Sequence, residues 1–225
     1  GKNIVGGEGG VLITNDRDLY ERALLEGMHP ARQSAELTDD SLKPYVDALG
    51  HTYRMHPIAA VIAKSQLKHL DEWNEMRRRN AEYLSSLLRD VPGVEPPHVA
   101  PGCEHVYHQY SPSYFGEQLK GLPRERFVRA LQAEGVPIWT YVNVPLHLRR
   151  RFQERLFYGR GCPFDCPHAA RRVEYRKGDC PVAEERCERR ELNMGSTSWF
   201  VDLRPLMEQY AEAFRKVAEH VDELL

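Results

Sequence analysis

The sequence predicts a mixed fold of helices and strands in two parts, residues 1–95 and 96–225. A short apolar run at residues 10–14 follows several glycines, which is typical of a buried strand. Apolar residues recur at the helical period through the middle and at the end of the chain. The proline-rich stretch Pro96–Pro101 is typical of a linker and gives the boundary between the two parts.

The first part contains, in order, a strand, a helix, a loop and a long helix. Asp16 follows the strand and is a suitable N-cap for the first helix. Residues 29–50 are polar and contain Pro30 and Pro44, so we predict a long loop there. Pro57 suits the first turn of the next helix, and the apolar spacing extends that helix to about Arg89.

The second part mixes the two types of element. Residues 105–114 and 136–142 are predicted as strands, with a helix at 123–134 between them. Residues 148–200 are rich in Arg, Cys and Pro and are expected to be irregular. The last helix covers about 205–225, where apolar residues form a continuous stripe at the helical period.

The composition excludes several classes of function. Hydrophobic residues make up 41% of the 225 residues, which is enough for a core. A formal net charge of -2 gives no global attraction to nucleic acid or to an anionic membrane. No apolar run approaches the roughly 20 residues of a membrane helix, and no signal peptide opens the chain. We therefore expect a cytoplasmic protein with no nucleic-acid or membrane partner.

The segment Lys2–Asn15 is the most informative part of the sequence. It places a lysine ahead of a glycine-rich turn and the predicted strand, so the lysine backbone would be fixed at the edge of a sheet. Desolvation and nearby positive charge can lower the pKa of such an amine, as nucleophilic attack on an aldehyde requires. The alternative is a solvated lysine before an ordinary turn, and spacing alone favours that alternative.

The segment Lys-Asn-Ile-Val-Gly-Gly-Glu-Gly-Gly-Val-Leu-Ile-Thr-Asn is similar to the lysine signature of the DegT/DnrJ/EryC1/StrS aminotransferases. In that family the lysine holds pyridoxal phosphate as a Schiff base. Lys2 matches that lysine, and Gly7–Gly10 match the turn that follows it. A branch of dehydratases in the family lacks the lysine, so its presence here favours transamination.

A second segment, Leu49–Ala60, resembles a family loop that reaches across the dimer to the phosphate of the neighbour's cofactor. Thr52 stands where the family has a phosphate-contacting Asn, and its hydroxyl can donate one hydrogen bond. Arg54 can meet a phosphate through two parallel hydrogen bonds. The alternative for Arg54 is an ion pair at a surface or an interface.

Further matches follow in the family's order, so the resemblance covers nearly the whole chain. They are the runs at 66–71 and 106–110, the run Pro145–Leu148, and the run 210–217 within the last helix. Within the third run, His147 lies where family members place groups that face the substrate. The alternative, a structural histidine, is slightly favoured.

The resemblance implies a type I pyridoxal-phosphate transferase fold. Residues 1–95 would be the end of the large α/β domain with a long connecting helix, and 96–225 a small α+β domain. It also implies a homodimer that moves an amino group from glutamate or glutamine to a keto-sugar or a keto-cyclitol. Complete members place this lysine near mid-chain, and the sequence begins at Gly1 rather than Met. We therefore expect a partial sequence that does not transaminate by itself.

Two other functions are compatible with the sequence. One is an inactive fragment or an assembly domain of such an enzyme. The other is a zinc-binding module, because four thiolate or imidazole ligands can form a closed tetrahedral site. The candidate ligands of that module are Cys162, Cys166, His168, Cys180 and Cys187.

Overall fold

A computed structural model describes residues 1–159, 161–169 and 173–225. The chain divides into two compact units, residues 1–70 and 71–225. The division falls after the first residue of the helix Leu70–Leu88, which the sequence-based division at residue 95 groups with the first part. Its apolar face, with Leu84 and Leu88 fully buried, belongs to the core of the second unit.

The helices begin where the sequence places capping residues. The carboxylate of Asp16 accepts a hydrogen bond from the Leu19 amide at 3.1 Å, which confirms the predicted N-cap. Pro30 and Pro57 each occupy the first helical turn, where the missing N–H removes no hydrogen bond within the helix. The described α-helices are α1 (Arg17–Gly27), α2 (Pro30–Glu36), α3 (Pro57–Leu67), α4 (Leu70–Leu88), α5 (Arg124–Ala133), α6 (Arg150–Gln153), α7 (Pro181–Glu185), α8 (Arg204–Glu219) and α9 (Val221–Leu224).

The single helix predicted from Pro57 to about Arg89 is wrong, because the chain breaks it into α3 and α4. The His69 amide donates to the Gln66 carbonyl at 3.0 Å, so the last turn of α3 tightens and the helix ends. The predicted final helix is likewise divided at His220 into α8 and α9.

The first unit differs from the prediction at two further places. Residues 10–14 do not form a strand, and Val11, Leu12 and Ile13 are 77%, 62% and 88% exposed. The described residues 1–70 include no strand that could pair with this run, so its backbone has no sheet to join. The predicted loop 29–50 contains helix α2 and a short 3-10 turn, because Pro30 starts a helix rather than preventing one.

The second unit contains two small antiparallel sheets. Strand β1 (Val94–Glu95) pairs with β3 (Ser113–Tyr114) in one sheet, and the other sheet has the order β2 (Gln109–Tyr110), β5 (Asn193–Gly195), β4 (Ile138–Trp139). The strand predicted at 105–114 becomes two dipeptide strands, because Pro112 between them has no amide to donate. The strand predicted at 136–142 is shortened to the two residues Ile138–Trp139. The described strands are β1 (Val94–Glu95), β2 (Gln109–Tyr110), β3 (Ser113–Tyr114), β4 (Ile138–Trp139) and β5 (Asn193–Gly195).

An aromatic core joins the sheets and helices of the second unit. The rings of Tyr114 and Phe127 lie 4.8 Å apart, and Phe127 lies 6.1 Å from Phe214. Phe127 comes from α5 and Phe214 from α8, so these contacts connect β3 to α5 and α5 to α8. Among the described helices, none is both long enough and apolar enough to span a membrane.

Candidate active site

The lysine segment, defined as residues 1–10, lies along helix α3 within the first unit. The amide of Val5 donates to Oε1 of Gln66 at 2.9 Å. A β-carbon on Gly6 would lie 2.5 Å from the Ala59 carbonyl oxygen, so glycine lets the two backbones meet. Lys2, near the start of this segment, is exposed to solvent.

The turn after the lysine depends on glycine. Gly7 has φ +87, in the left-handed region that other L-residues rarely adopt. A β-carbon on Gly9 would lie 3.1 Å from Cε of Met55. The lysine segment therefore meets the second sequence motif at Met55, immediately after Arg54, although the two motifs are distant along the chain.

The arginine loop, defined as residues 49–56, is attached to the end of helix α1. The amides of His51 and Tyr53 donate to the carbonyls of Glu26 and Gly27, at 2.8 and 2.9 Å. The rings of His51 and Tyr53 stack with centroids 5.1 Å apart. Thr52 lies between these two attached residues, so its backbone position is set on both sides.

Thr52 and Arg54 are both exposed. Among the described residues, no carboxylate forms an ion pair with Arg54. A guanidinium and a hydroxyl in one loop fit a phosphate, and an exposed amine on the neighbouring glycine-rich segment fits an aldehyde. The donor set therefore fits pyridoxal phosphate.

The structure places His147 in the second unit, against a buried carboxylate. Its Nε2 lies 2.9 Å from Oε1 of Glu184, and the two side chains are only 10% and 8% exposed. Glu184 also accepts hydrogen bonds from the amides of Gly178 and Cys180, at 2.8 and 3.3 Å. Burial opposes ionisation of Glu184, but these hydrogen bonds outweigh it and hold the pKa of Glu184 below its ordinary value.

Sequence reasoning did not identify Glu184 as a partner of His147. The two residues are far apart in the chain, and Glu184 lies in α7, within the stretch predicted to be irregular. Several arginines lie near Glu184 in the sequence. No sequence pattern there distinguishes Glu184 from the other acidic residues. This pairing favours the structural alternative for His147 over a contact with substrate.

The cysteine-rich region forms no metal centre among the described residues 161–169 and 173–225. No group of three or more His, Cys, Asp or Glu side chains there is arranged to hold a metal ion. All of the cysteines are free thiols; Cys103 and Cys180 are exposed and Cys187 is buried. Cys162 and Cys166 are both half-buried.

Several known proteins have sequences similar to this chain. Some are named as sugar or cyclitol aminotransferases, and one is named as a regulatory protein. A pleiotropic regulatory protein of Geobacillus stearothermophilus is 27% identical over 215 residues, 95% of this chain and 47% of that protein. The L-glutamine:2-deoxy-scyllo-inosose aminotransferase of Streptoalloteichus tenebrarius is 30% identical over 237 residues, 99% of this chain and 52% of that protein. The chain thus spans about half the length of the relatives it matches.

The fold of this chain is shared with proteins of known structure. The crystal structure of S. venezuelae DesV in complex with a ketimine intermediate superposes with a TM-score of 0.65 at 22% identity. The match covers 92% of this chain and 46% of DesV. The predicted type I transferase fold is therefore confirmed for this portion. The model of the DegT/DnrJ/EryC1/StrS aminotransferase family matches residues 1–174, so this chain belongs to that family.

Proposed function

We propose that this chain is the part of a pyridoxal-phosphate-dependent aminotransferase that carries the cofactor lysine, Lys2. The observation that supports this most directly is the contact between the lysine segment and the arginine loop. Gly9 lies against Met55 of that loop, and Gly6 lies against Ala59 of helix α3, within one compact unit. An amine for an aldehyde and a guanidinium for a phosphate are thus carried by neighbouring segments.

Each residue of this site has a distinct role in the proposal. Arg54 binds the cofactor phosphate through two parallel hydrogen bonds, and the Thr52 hydroxyl donates one more. By the family resemblance, this phosphate belongs to the cofactor of the partner in a homodimer, so each chain contributes its amine to one site and its phosphate donors to the other. Bound pyridoxal phosphate supplies an electron sink for charge that develops at the amino donor. The freed Lys2 amine would accept a proton from the α-carbon of the donor as a general base and then, as an acid, deliver it to C4′ of the cofactor.

The substrates are proposed from the names of the relatives. L-glutamine and a keto-cyclitol are the substrates named for the Streptoalloteichus enzyme, which matches nearly all of this chain. A nucleotide-linked amino sugar appears in the name of a Streptomyces venezuelae transaminase that is 31% identical over 150 residues. We infer that glutamine or glutamate donates the amino group and that a keto-sugar or a keto-cyclitol accepts it, in a cytoplasmic enzyme.

The experiment that tests this proposal traps the cofactor on its lysine. The intact protein is incubated with pyridoxal phosphate and reduced with borohydride, and the peptide that contains Lys2 is analysed by mass spectrometry. The cofactor is expected on Lys2, and Lys2→Ala should abolish the label. Lys68→Ala, which removes another exposed lysine of the same unit, should leave the label unchanged.

The result also decides between the enzyme and an inactive assembly domain. A label on Lys2 together with amino transfer from glutamine to a keto-cyclitol or a keto-sugar supports the enzyme. Absence of the label from Lys2 in the folded, intact protein would overturn the proposal and favour the assembly domain.

A further inference from the structure

Helix α1 ends against the arginine loop, and the loop completes the hydrogen bonding of that helix end. The last carbonyls of an α-helix have no partner within the helix, so donors from elsewhere must satisfy them. The amides of His51 and Tyr53 donate to the carbonyls of Glu26 and Gly27, at 2.8 and 2.9 Å. The loop therefore cannot move away from the helix without breaking both hydrogen bonds.

Two glycines let the loop and the helix approach closely. A β-carbon on Gly50 would lie 3.0 Å from the carbonyl oxygen of Glu26 and 3.1 Å from that of Leu25. A β-carbon on Gly27 would lie 3.1 Å from Cδ2 of Tyr53 and 3.3 Å from its Cβ. These distances leave no room for a larger residue at either position unless the loop or the helix shifts.

The side chain of Glu26 makes a further contact with the loop, through His51. Oε1 of Glu26 lies 2.8 Å from Nδ1 of His51, and a carboxylate can only accept, so the ring nitrogen is the donor. The ring of His51 stacks on that of Tyr53, with the two planes only 8° apart. Glu26 thus holds, through one ring, both of the residues that flank Thr52.

The hydrogen bonds to α1 come from alternate residues of the loop, His51 and Tyr53. In an extended segment alternate side chains share a face, so the two stacked rings occupy one face of the loop. Thr52 and Arg54 fall on the opposite face, and both are exposed. A shift of the residues that face the helix therefore moves the phosphate donors with them.

We propose that Glu26 is a positioning residue that fixes Thr52 and Arg54 for the cofactor phosphate, a role that rests on the function proposed above. Glu26 acts through the His51 ring and not by contact with the cofactor. Two parallel hydrogen bonds from Arg54 to a phosphate require a narrow range of geometry, because hydrogen bonds weaken steeply as their angle departs from linear. Loss of the Glu26 contact should therefore weaken cofactor binding without removing any donor.

The test compares Glu26→Ala with Glu26→Gln in the intact protein. Alanine removes the acceptor for His51, whereas glutamine keeps an acceptor oxygen and loses only the charge. The dissociation constant for pyridoxal phosphate should rise by at least about threefold in Glu26→Ala and stay close to the wild-type value in Glu26→Gln. An unchanged dissociation constant in Glu26→Ala, or an equal rise in both variants, would overturn the proposal.

Amide hydrogen exchange of residues 49–56 follows the attachment of the loop without the cofactor. The amides of His51 and Tyr53 should exchange at least about threefold faster in Glu26→Ala than in the wild type, because the loop opens from α1 more often. Wild-type exchange in Glu26→Ala would overturn the positioning role. A wild type that does not bind pyridoxal phosphate overturns the proposed function, whereas equal affinity with and without the Glu26 carboxylate overturns only the positioning role.

A matched control lies on the same helix. Asp18 is on α1 with its side chain 60% exposed, against 58% for Glu26, and it pairs with Arg22 rather than with the loop. Asp18→Ala should change neither cofactor affinity nor the exchange of residues 49–56. In an Arg54→Ala background, Glu26→Ala should have a smaller effect than it has alone, since one of the donors it positions is absent. Fully additive effects would contradict action through Arg54 and overturn the proposal.

Discussion

A β-carbon on Gly6 would lie 2.5 Å from the carbonyl oxygen of Ala59, so the lysine segment runs directly against the backbone of helix α3. The same β-carbon would lie 3.0 Å from Cβ of Ala63. The neighbouring atoms are thus backbone and a short side chain, and neither can rotate away. Any larger residue at position 6 must displace the lysine segment from the helix.

Gly6→Ala is therefore expected to weaken cofactor binding without unfolding the protein. Overpacking of this kind costs about 1–3 kcal/mol, which is relieved most easily by movement of the exposed lysine segment. The measurement is the affinity of the intact protein for pyridoxal phosphate, alongside thermal unfolding. Gly10→Ala is the control, because nothing lies within 4 Å of a β-carbon there and its φ is not positive. Equal affinities for the two variants would contradict the role given to the Gly6 contact.

Arg54 should be sensitive to replacement by lysine as well as by alanine. Lysine keeps the charge but cannot form two parallel hydrogen bonds with a phosphate, so Arg54→Lys should lower cofactor affinity by about tenfold and Arg54→Ala by more. The dissociation constant for pyridoxal phosphate measures this. Arg22→Ala is the control, because Arg22 is exposed in the same unit and pairs with Asp18. If Arg54→Lys binds pyridoxal phosphate with the affinity of the wild type, Arg54 does not form two hydrogen bonds with the phosphate.

Local signals in the sequence predicted local structure well and tertiary structure less well. Asp16 caps α1 as predicted, because that interaction needs only residues three positions apart. Residues 10–14 were predicted as a strand from their apolar character, but a strand exists only where another strand pairs with it. The glycine spacing and Lys2 pointed to the family, which the family model confirms. The contacts of Gly6 with α3 and of His147 with Glu184 depend on tertiary packing, which no local pattern encodes.

The pair formed by His147 and Glu184 predicts a structural role for this histidine. His147→Ala should lower the midpoint of thermal unfolding, because it leaves a buried carboxylate without one of its hydrogen-bond donors. The KM for the amino acceptor should change by less than about twofold. His105→Ala, which removes a histidine outside this pair, is the control for stability. A large rise in KM with unchanged stability would instead support direct contact between His147 and substrate.

Asn80 attaches helix α4 to the segment that precedes α8. Its Nδ2 donates to the carbonyls of Trp199 and Val201 at 3.1 and 2.7 Å, and its Oδ1 accepts from the Leu203 amide at 3.1 Å. Asn80 is 1% exposed, so its loss leaves buried backbone groups without partners. Asn80→Ala should lower the free energy of unfolding by about 2–4 kcal/mol. Urea denaturation measures this.

The control for Asn80 lies on the same helix. Ser86→Ala removes an exposed hydroxyl that bonds only to the Tyr83 carbonyl within its own helix, so it should change the free energy by less than about 0.5 kcal/mol. A similar loss in both variants would mean that helix propensity, and not the attachment to residues 199–203, determines the effect.

Glu21 predicts how the stability of the first unit depends on pH. The Thr38 hydroxyl donates to its carboxylate, burial acts in the opposite direction, and the Asp39 amide and Arg17 also donate, so the pKa of Glu21 falls from 4.5 to about 2. The folded pKa is the lower one, so the ionised carboxylate contributes stability that is fully present above about pH 4.5. That contribution is lost as pH falls from 4.5 towards 2.

Glu21→Gln is expected to be less stable than the wild type at neutral pH and to lose less stability over this acid range. Unfolding of the intact protein, followed with a probe in the first unit at several pH values, measures the difference. Glu26→Gln is the control, because Glu26 lies on the same helix with a side chain that is 58% exposed. Its free energy of unfolding at neutral pH should stay within about 0.5 kcal/mol of that of the wild type, as expected for an exposed substitution. Parallel profiles for Glu21→Gln and the wild type between pH 4.5 and 2 would show that Glu21 ionises alike in the folded and unfolded chains.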